Sequence, residues 1–330
     1  MKLRVITEKL KGLTIANPIY SGNGMILLNT GAVLTETNIK KLQRLGVIIV
    51  YIEDDSCPIE LQEILDTKTK LEIMKDIAIL FNGISKDKKI NVGLCEKIVK
   101  KTMENINLSE NAFLYSNISF NENKDLEIVI HSFEVMIYSL ITGINRKLNV
   151  KKLASLGIGA LLHDIGKLFS EGEEHAKTGY ELTKNNTEIS TTSYLCLLQH
   201  HEYEDGSGFP QRLRGEKIYE FSKIVCIAND YVNLITNLGT HLPNDAIETM
   251  TARAVFKYDH EIFKNFVKAI YCYPNGLEVR LSNQRVGIVV RQSKDLPTRP
   301  IIAVFEDGKP VLLDLTSSEN KTLFIKEAIL

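Results

Sequence analysis

The chain has 330 residues, in which 40 Lys and Arg balance 41 Asp and Glu for a formal net charge of -1 at pH 7. This length allows one large domain or two to three modest ones with proper cores. A net charge so near zero gives no electrostatic footprint for duplex nucleic acid or an anionic membrane. No apolar run approaches the roughly 18 residues of a membrane-spanning helix, and the beginning, MKLRVITEKLKGLTI, lacks the apolar region of a signal peptide.

The cysteines are odd in number and far apart, and no two of them form a CxxC pair. The five are Cys57, Cys95, Cys196, Cys226 and Cys272. This spacing favours neither a disulfide framework nor a thiolate zinc site. We therefore expect a protein of the reducing cytoplasm.

Residues 1–56 carry short β-type runs separated by turn residues, as at 22–24. Thr35 starts a predicted short helix that ends at Gly46, and VIIVYI follows as a buried strand. The pattern predicts a small α+β module. Residues 57–117 predict a helical connecting region, since ELQEILDTKTKLEIMKDIAILF and GLCEKIVKKTMENI place apolar residues at three- and four-residue spacing.

Residues 118–273 predict a central block of helices. The apolar segments are LEIVIHSFEVMIYSLITGINRKL, KKLASLGIGALLHDIGKLF, TSYLCLLQHHE, EFSKIVCIANDYVNLI and NDAIETMTARAVFKYDHEIFKNFVKAIY. From 274 to 330 the period switches to two, in GLEVRLSN, RVGIVVRQ, RPIIAVFED and PVLLDL, which predicts a small β module. The sequence therefore predicts a mainly α protein with small β-rich modules at its two ends.

Residues 161–210 hold most of the side chains that point to chemistry. Four of the chain's seven histidines lie there: His163, His175, His200 and His201. Two of them precede a carboxylate, in His163-Asp164 and His201-Glu202. Histidines and acids on strongly apolar segments are costly to bury unless they have partners, and a cation satisfies both residue types at once.

Taken singly, these residues also have plain structural explanations. His131 on an apolar helix is more often a core histidine, and Cys196, four residues before His200, is better explained as a buried thiol. Taken together, they favour a metal site, because nitrogen and oxygen ligands without thiolate suit iron, manganese or zinc. Two such ions about 3.5–4 Å apart would activate water and neutralise a phosphoryl oxygen. Lys167 would then stabilise developing negative charge; the alternative is a lysine that interacts with the helix dipole.

The motifs HDIGK, a spaced histidine, HHE and DGSGFP in combination resemble the HD-GYP branch of the HD-domain phosphohydrolases. The resemblance covers about residues 118–274. It implies an all-helical HD-type catalytic core and two or three divalent metal ions, most often iron or manganese. It also implies hydrolysis of cyclic di-GMP.

The resemblance also implies roles for individual residues. The metal ligands would be Glu127, His131, His163, Asp164, His175, His200 and His201, with Asn229 at the place of the family's last metal-binding aspartate. Asp164 would bridge two ions and Lys167 would be the catalytic lysine. The signature loop that contacts substrate would be Asp205, Gly206, Ser207, Gly208, Phe209 and Pro210.

Three features depart from the family pattern. Phe209 replaces the signature tyrosine, which keeps a stacking face but removes the hydroxyl. Asn229 offers an amide oxygen without charge, and Asp230 faces elsewhere on the same helix. The segment VNLITNLGTHLPN has no counterpart of the family's phosphate-binding arginine.

The resulting hypothesis is a metal-dependent phosphodiesterase in which a metal-bridged hydroxide opens cyclic di-GMP to pGpG, with GMP as a further product. Two alternatives remain open: a degenerate cyclic-dinucleotide receptor or scaffold, and a hydrolase of another phosphoester nucleotide. No partner of the duplex nucleic-acid or membrane class is expected. A homodimer, and a diguanylate cyclase or other signalling protein, are the macromolecular partners considered.

Overall fold

A computed structural model describes residues 1–330 except 22–24, 55–61, 110–111, 114–117, 120–123, 238–241, 294–295, 308 and 330. The predicted turn at 22–24 and Cys57 lie outside the described residues. The predicted domain boundaries next to residues 57 and 117 lie there too, so the division into four parts stays a prediction.

Ten α-helices occur in the described part of the chain. They are α1 (Glu36–Arg44), α2 (Thr67–Asp87), α3 (Val92–Asn105), α4 (Lys124–Asn145), α5 (Val150–Leu162), α6 (Glu174–Thr183), α7 (Thr191–Gln199), α8 (Glu220–Asn237), α9 (Pro243–Lys257) and α10 (His260–Val267). A short 3₁₀ turn, Ile165–Leu168, lies between α5 and α6. The helices from α2 onward share one hydrophobic core, which forms the framework of the molecule.

Helix α4 runs through the middle of this core and contacts α2, α5, α8 and α10. Its residues Val135, Met136, Ile137 and Leu140 are fully buried. By length and composition, Leu126–Asn145 could cross a membrane, which corrects the expectation that no run comes near that length. However, 78% of its apolar window is buried inside the protein, which is the pattern of a core helix.

Side-chain caps fix where many of the helices begin. The capping residues are Thr35, Asp66, Asn91, Asn149, Ser190 and Asp259, and each accepts a hydrogen bond from the backbone N–H three residues later. Such caps satisfy one of the free N–H groups of the first turn and stabilise the helix by about 1 kcal/mol. The cap at Asp66 explains why α2 begins at Thr67, several residues after the predicted start.

The strands of the described residues are short and lie mainly at the two ends of the chain. They are β1 (Lys2–Val5), β2 (Ile19–Ser21), β3 (Ile26–Leu28), β4 (Ile49–Ile52), β5 (Gln62–Glu63), β6 (Ala112–Phe113), β7 (Ile118–Ser119), β8 (Glu278–Leu281), β9 (Val286–Arg291), β10 (Ile301–Glu306), β11 (Lys309–Asp314) and β12 (Ile325–Ile329). The last five form an antiparallel sheet in the order β11-β10-β9-β8-β12.

The first and last parts of the chain pack against each other. Leu3 and Tyr51 share a core with Val279 and other residues of the C-terminal sheet. The Tyr51 hydroxyl donates to the carbonyl of Asn275 at 2.8 Å, and the N–H of Leu3 donates to the carbonyl of Gly276 at 2.9 Å. The two terminal β regions therefore support one another beside the helical core.

The prediction of a mainly α protein with small β regions at its ends is confirmed. Several details were wrong or missed, among them the short strand β6 inside the region 57–117 that was predicted to be helical. Gln62–Glu63 is a short strand where a helix was predicted, because the helix begins only after its cap at Asp66. The edge strand β12 and the short helix α6 were not predicted from the sequence.

Candidate metal centre

Asp164 lies at the centre of the site, in the tight connection between the end of α5 and the 3₁₀ turn. Close packing of α6 against this turn brings His175 to the same place. Gly166 permits that packing, since a Cβ at this position would lie 1.9 Å from the carbonyl oxygen of His175. The glycine of the HDIGK motif is thus required by the backbone geometry around the site.

The two oxygens of Asp164 face two different groups of imidazoles. Oδ1 lies 3.2 Å from Nε2 of His175 and 3.4 Å from Nε2 of His200. Oδ2 lies 3.3 Å from Nε2 of both His131 and His163. Each group therefore has its own carboxylate oxygen, and Asp164 joins them.

His201 belongs to the group around Oδ1. The potential ligand atoms of Asp164, His175, His200 and His201 lie within 4.8 Å of one another, as do those of Asp164, His131 and His163. Helices α4, α5, α6 and α7 thus bring together six of the sequence-predicted metal ligands.

The second nitrogen of several imidazoles contacts the backbone. Nδ1 of His163 lies 2.8 Å from the carbonyl oxygen of Ala160, and Nδ1 of His175 lies 2.5 Å from that of Gly172. Nδ1 of His200 lies 3.0 Å from the carbonyl oxygen of Leu197. Because a carbonyl oxygen only accepts, each Nδ1 carries the proton and each Nε2 presents a lone pair to the site.

These residues fit a divalent cation. Nε2 of His175 lies 3.2 Å from Nε2 of His200, so two lone pairs converge with no hydrogen atom between them, and Nε2 of His201 lies 3.2 Å from the same atom of His175. The buried oxygen Oδ1 of Asp164 also has no hydrogen-bond partner among the described residues. Such an arrangement is costly unless a cation accepts the lone pairs, and carbonyl contacts to Nδ1 commonly orient metal-binding histidines.

Burial also sets the protonation states that metal binding requires. It lowers the pKa of His163 and of His201, and it lowers the pKa of His200 to about 4. Burial alone would raise the pKa of Asp164, but the neighbouring imidazoles hold it well below the usual value. Near neutral pH, His163, His200 and His201 are therefore neutral and Asp164 is ionised.

Asn229 on α8 completes the group around Oδ2. It is 1% exposed, and its Oδ1 lies 2.9 Å from Nε2 of His131. Its Nδ2 is buried and has no partner among the described residues. Asp230 faces away from this group, where it accepts hydrogen bonds from the hydroxyls of Tyr258 and Tyr203.

Lys167 lies at the open edge of the site. Its Nζ is 2.5 Å from Oδ2 of Asp164, and its side chain is 43% exposed. The ammonium group therefore faces both the carboxylate and the solvent from which a ligand would approach.

Glu127 does not join the two groups. It lies one turn before His131 on α4, and its side chain is exposed. Its carboxylate is not among the convergent ligand atoms.

The loop 205–210 lies directly beside the imidazoles. The ring of Phe209 stacks on His201, with 4.3 Å between centroids. Gly208 permits the close approach, since a Cβ there would lie 2.2 Å from the carbonyl oxygen of His201. The exposed Asp205 accepts from the N–H of Ser207 at 2.9 Å and shapes the outer turn, where Gly206 has a φ of +75° and Pro210 follows a cis peptide bond.

Glu202 anchors the end of this loop, a role the sequence analysis did not assign. Its side chain is 2% exposed and accepts from the backbone N–H of Gln211 at 2.6 Å and of Leu213 at 2.9 Å. The available signal was a glutamate directly after a histidine pair on a buried helix.

Comparison with known proteins supports this interpretation of the motifs. Residues 169–262 match the family model described as HD domain. The chain is 26% identical over 192 residues to the cyclic di-GMP phosphodiesterase PA4108 of Pseudomonas aeruginosa, covering 52% of this chain and 46% of that protein. It is 28% identical over 204 residues to the cyclic di-GMP phosphodiesterase PdeB of Borreliella burgdorferi, covering 56% and 54%.

The chain thus spans about half the length of these curated relatives. Among solved structures, the HD-GYP-type protein Bd1817 of Bdellovibrio bacteriovorus aligns over 80% of this chain and 97% of its own, with 18% identity and a TM-score of 0.47. A TM-score of this size does not establish a common fold. The resemblance to the HD-domain phosphohydrolases is confirmed by the family match and the curated relatives.

Proposed function

We propose that this chain is a metal-dependent phosphodiesterase of the HD-domain type that opens cyclic di-GMP to the linear dinucleotide pGpG. The observation that carries the proposal is the position of Asp164 between two groups of imidazoles. Oδ1 lies 3.2–3.4 Å from the Nε2 atoms of one group, and Oδ2 lies 3.3 Å from the Nε2 atoms of the other. This is the donor set that two neighbouring divalent ions require.

Two ions, with iron and manganese preferred for these nitrogen and oxygen ligands, would be held by six residues. They are His131, His163, Asp164, His175, His200 and His201, with Asn229 as a neutral seventh ligand. When bound, such ions neutralise charge on a phosphoryl oxygen and lower the pKa of water. The exposed position of Glu127, outside both groups, supports two ions rather than three.

Side chains of the protein would form the buried part of the site and contact the phosphodiester. Asp164, His163 and His200 are fully buried and form the floor of the site. Lys167 reaches the open edge, where its ammonium would donate to the non-bridging oxygens of the phosphodiester as they gain charge. Charge-assisted hydrogen bonds in such partly dry sites are stronger than those in water.

Phe209 and Glu202 would hold the substrate loop in place beside the imidazoles. The stacking of Phe209 on His201 ties the loop to one of these imidazoles. The two hydrogen bonds that Glu202 accepts fix where the loop returns to the core.

The choice of substrate is supported by the names of the curated relatives, which are cyclic di-GMP phosphodiesterases. The residues that match the HD-domain model, 169–262, include His175, His200, His201 and Asn229, whereas Asp164 and the other proposed metal ligands lie before that range.

The test is to purify the protein anaerobically with Fe(II) or Mn(II) and to measure metal per chain. Cyclic di-GMP is then followed by chromatography beside an Asp164→Ala control, with pGpG and GMP as separate products. Formation of pGpG that depends on Asp164 supports the proposal. Metal-loaded protein that binds the dinucleotide and leaves it intact would instead favour a receptor, and faster cleavage of another nucleotide ester would replace the substrate.

A further inference from the structure

A cavity of about 300 Å³ lies between α8 and α9, outside the group of metal-ligand residues. This volume is at the lower end of the range for small-molecule pockets and suits one nucleoside better than a whole dinucleotide. Its polar lining consists of Tyr203, Asp230, Asn233, Thr249, Arg253, Lys257 and Tyr258. None of these side chains has a role in the chemistry described above.

On the inner wall of the cavity, Asp230 accepts hydrogen bonds from two tyrosines. Asp230 Oδ2 accepts from the hydroxyl of Tyr258 at 2.8 Å, and Oδ1 accepts from that of Tyr203 at 3.4 Å. A carboxylate offers about four lone-pair positions, so both oxygens retain the capacity to accept another donor. The tyrosines thus hold the carboxylate in a fixed orientation beside the cavity.

The outer rim is cationic. Lys257 Nζ lies over the ring of Tyr203, 3.8 Å from its centroid, and Arg253 is exposed one helical turn earlier on α9. Within the described residues neither side chain forms an ion pair within 4.0 Å. Two cations are therefore available to an anionic ligand.

The cavity is linked to the candidate metal centre by one side chain. Asn233, which lines the cavity, donates from Nδ2 to Oδ1 of Asn229 at 3.2 Å. Asn229 in turn lies 2.9 Å from His131.

We propose that this cavity binds one guanine base of the cyclic dinucleotide, and that Arg253 and Lys257 bind the phosphate that is not being hydrolysed. The inference rests on the proposed function. Guanine presents two adjacent N–H donors on its Watson–Crick edge, which one carboxylate accepts together, whereas adenine presents a donor beside an acceptor. A cyclic dinucleotide carries two phosphodiesters, and Lys167 and the ions serve only one of them.

The rim is tested with Arg253→Gln and Lys257→Gln, and Lys264→Gln on α10 serves as a matched surface control. The Michaelis constant is measured for cyclic di-GMP and for bis(p-nitrophenyl) phosphate, which is too small to reach both sites. We expect the Michaelis constant for cyclic di-GMP, divided by that for bis(p-nitrophenyl) phosphate, to rise about tenfold in each rim variant, since a charged hydrogen bond to the dinucleotide is lost. An unchanged ratio in both rim variants would overturn the proposal.

The inner wall is tested by removing a single donor from the ligand. Cyclic di-IMP lacks the exocyclic amino group, so wild-type protein should bind it about tenfold more weakly than cyclic di-GMP. Asp230→Asn should abolish this preference. If that variant does not fold, as circular dichroism would show, the wild-type preference alone decides, and equal binding of the two ligands contradicts a guanine pocket.

Failure of the proposed function has a different signature. If wild-type protein hydrolyses neither diester, the metal-dependent phosphodiesterase is wrong, and the pocket is judged by calorimetric titration with cyclic di-GMP. A tenfold weaker affinity of Arg253→Gln would still support the pocket. Unchanged affinity, or no binding by the wild type, would overturn it.

Discussion

Oδ1 of Asn229 lies 2.9 Å from Nε2 of His131, so a neutral amide on α8 faces the imidazole on α4. Asn233 donates to the same oxygen at 3.2 Å and fixes its direction. Asn229 therefore adds a neutral oxygen to the group of side chains around Oδ2 of Asp164. The group around Oδ1 of Asp164 contains three imidazoles.

We first predict that Asn229→Asp strengthens metal binding. A carboxylate adds a negative charge at the same position, and divalent ions bind charged oxygen ligands more tightly. Metal per chain, measured after dialysis against a weak chelator, should rise from about one ion toward two. The affinity for the more weakly bound ion should increase roughly tenfold. Asn105→Asp on the exposed side of α3 is the control. Identical metal content in both variants would place residue 229 outside the set of ligands.

Metal removal should destabilise the protein. An ion that binds only the folded state at 100 times its dissociation constant adds about 2.7 kcal/mol to the free energy of unfolding. Chelation should therefore lower the thermal midpoint by several degrees, and Mn(II) should restore it. Asp164→Asn, which removes the shared carboxylate, should show little response to either treatment. A wild type that is indifferent to chelation would argue against a bound ion.

The metal-free protein should lose stability as the pH falls. Burial lowers the pKa of His200 from 6.5 to about 4 in the folded state, so between these values the unfolded state binds a proton that the folded state excludes. The free energy of unfolding should be at its plateau above pH 6.5 and decrease toward pH 4, by on the order of 3 kcal/mol for this residue alone. Urea unfolding at several pH values measures this slope. His200→Gln should flatten it, and an equally steep slope in that variant would assign the effect to other groups.

Gly166→Ala should disrupt the site through the backbone. The added Cβ would lie 1.9 Å from the carbonyl oxygen of His175, so α6 would have to move away from the 3₁₀ turn. We expect a loss of at least about 2 kcal/mol in the free energy of unfolding, together with lower metal content. Gly83→Ala on α2, where a Cβ meets nothing within 4 Å, should instead add roughly 0.5–1 kcal/mol. Equal stability of the two variants would show that α6 tolerates the shift.

Much of the side-chain cluster around Asp164 could be predicted because its histidines lie next to strong local signals. His163-Asp164 follows an apolar helix, and His200-His201 follows another, so the sequence placed these residues at helix ends. The same local reasoning was insufficient for Glu127. Spacing of four residues puts Glu127 on the same side of α4 as His131, but the helix carries it into solvent beyond the core.

Glu202 and Asp230 show the opposite case. Both adjoin a predicted ligand, and neither was given a function from the sequence. Their partners are the N–H groups of Gln211 and Leu213 for Glu202, and the hydroxyls of Tyr203 and Tyr258 for Asp230. No local periodicity predicts contacts with side chains or loops that distant parts of the chain supply.

The sequence by itself determined the mainly helical fold, the terminal β regions and the residue types of the donor set, because apolar period and ligand chemistry are local properties. Only the tertiary structure decided that the two oxygens of Asp164 face separate imidazole groups, and that Asn229 lies inside one of them while Glu127 lies outside. It also decided that a cavity with a cationic rim lies one side chain away. These relationships depend on how α4, α6, α7 and α8 pack around one carboxylate, and packing is set by the whole core rather than by any one segment.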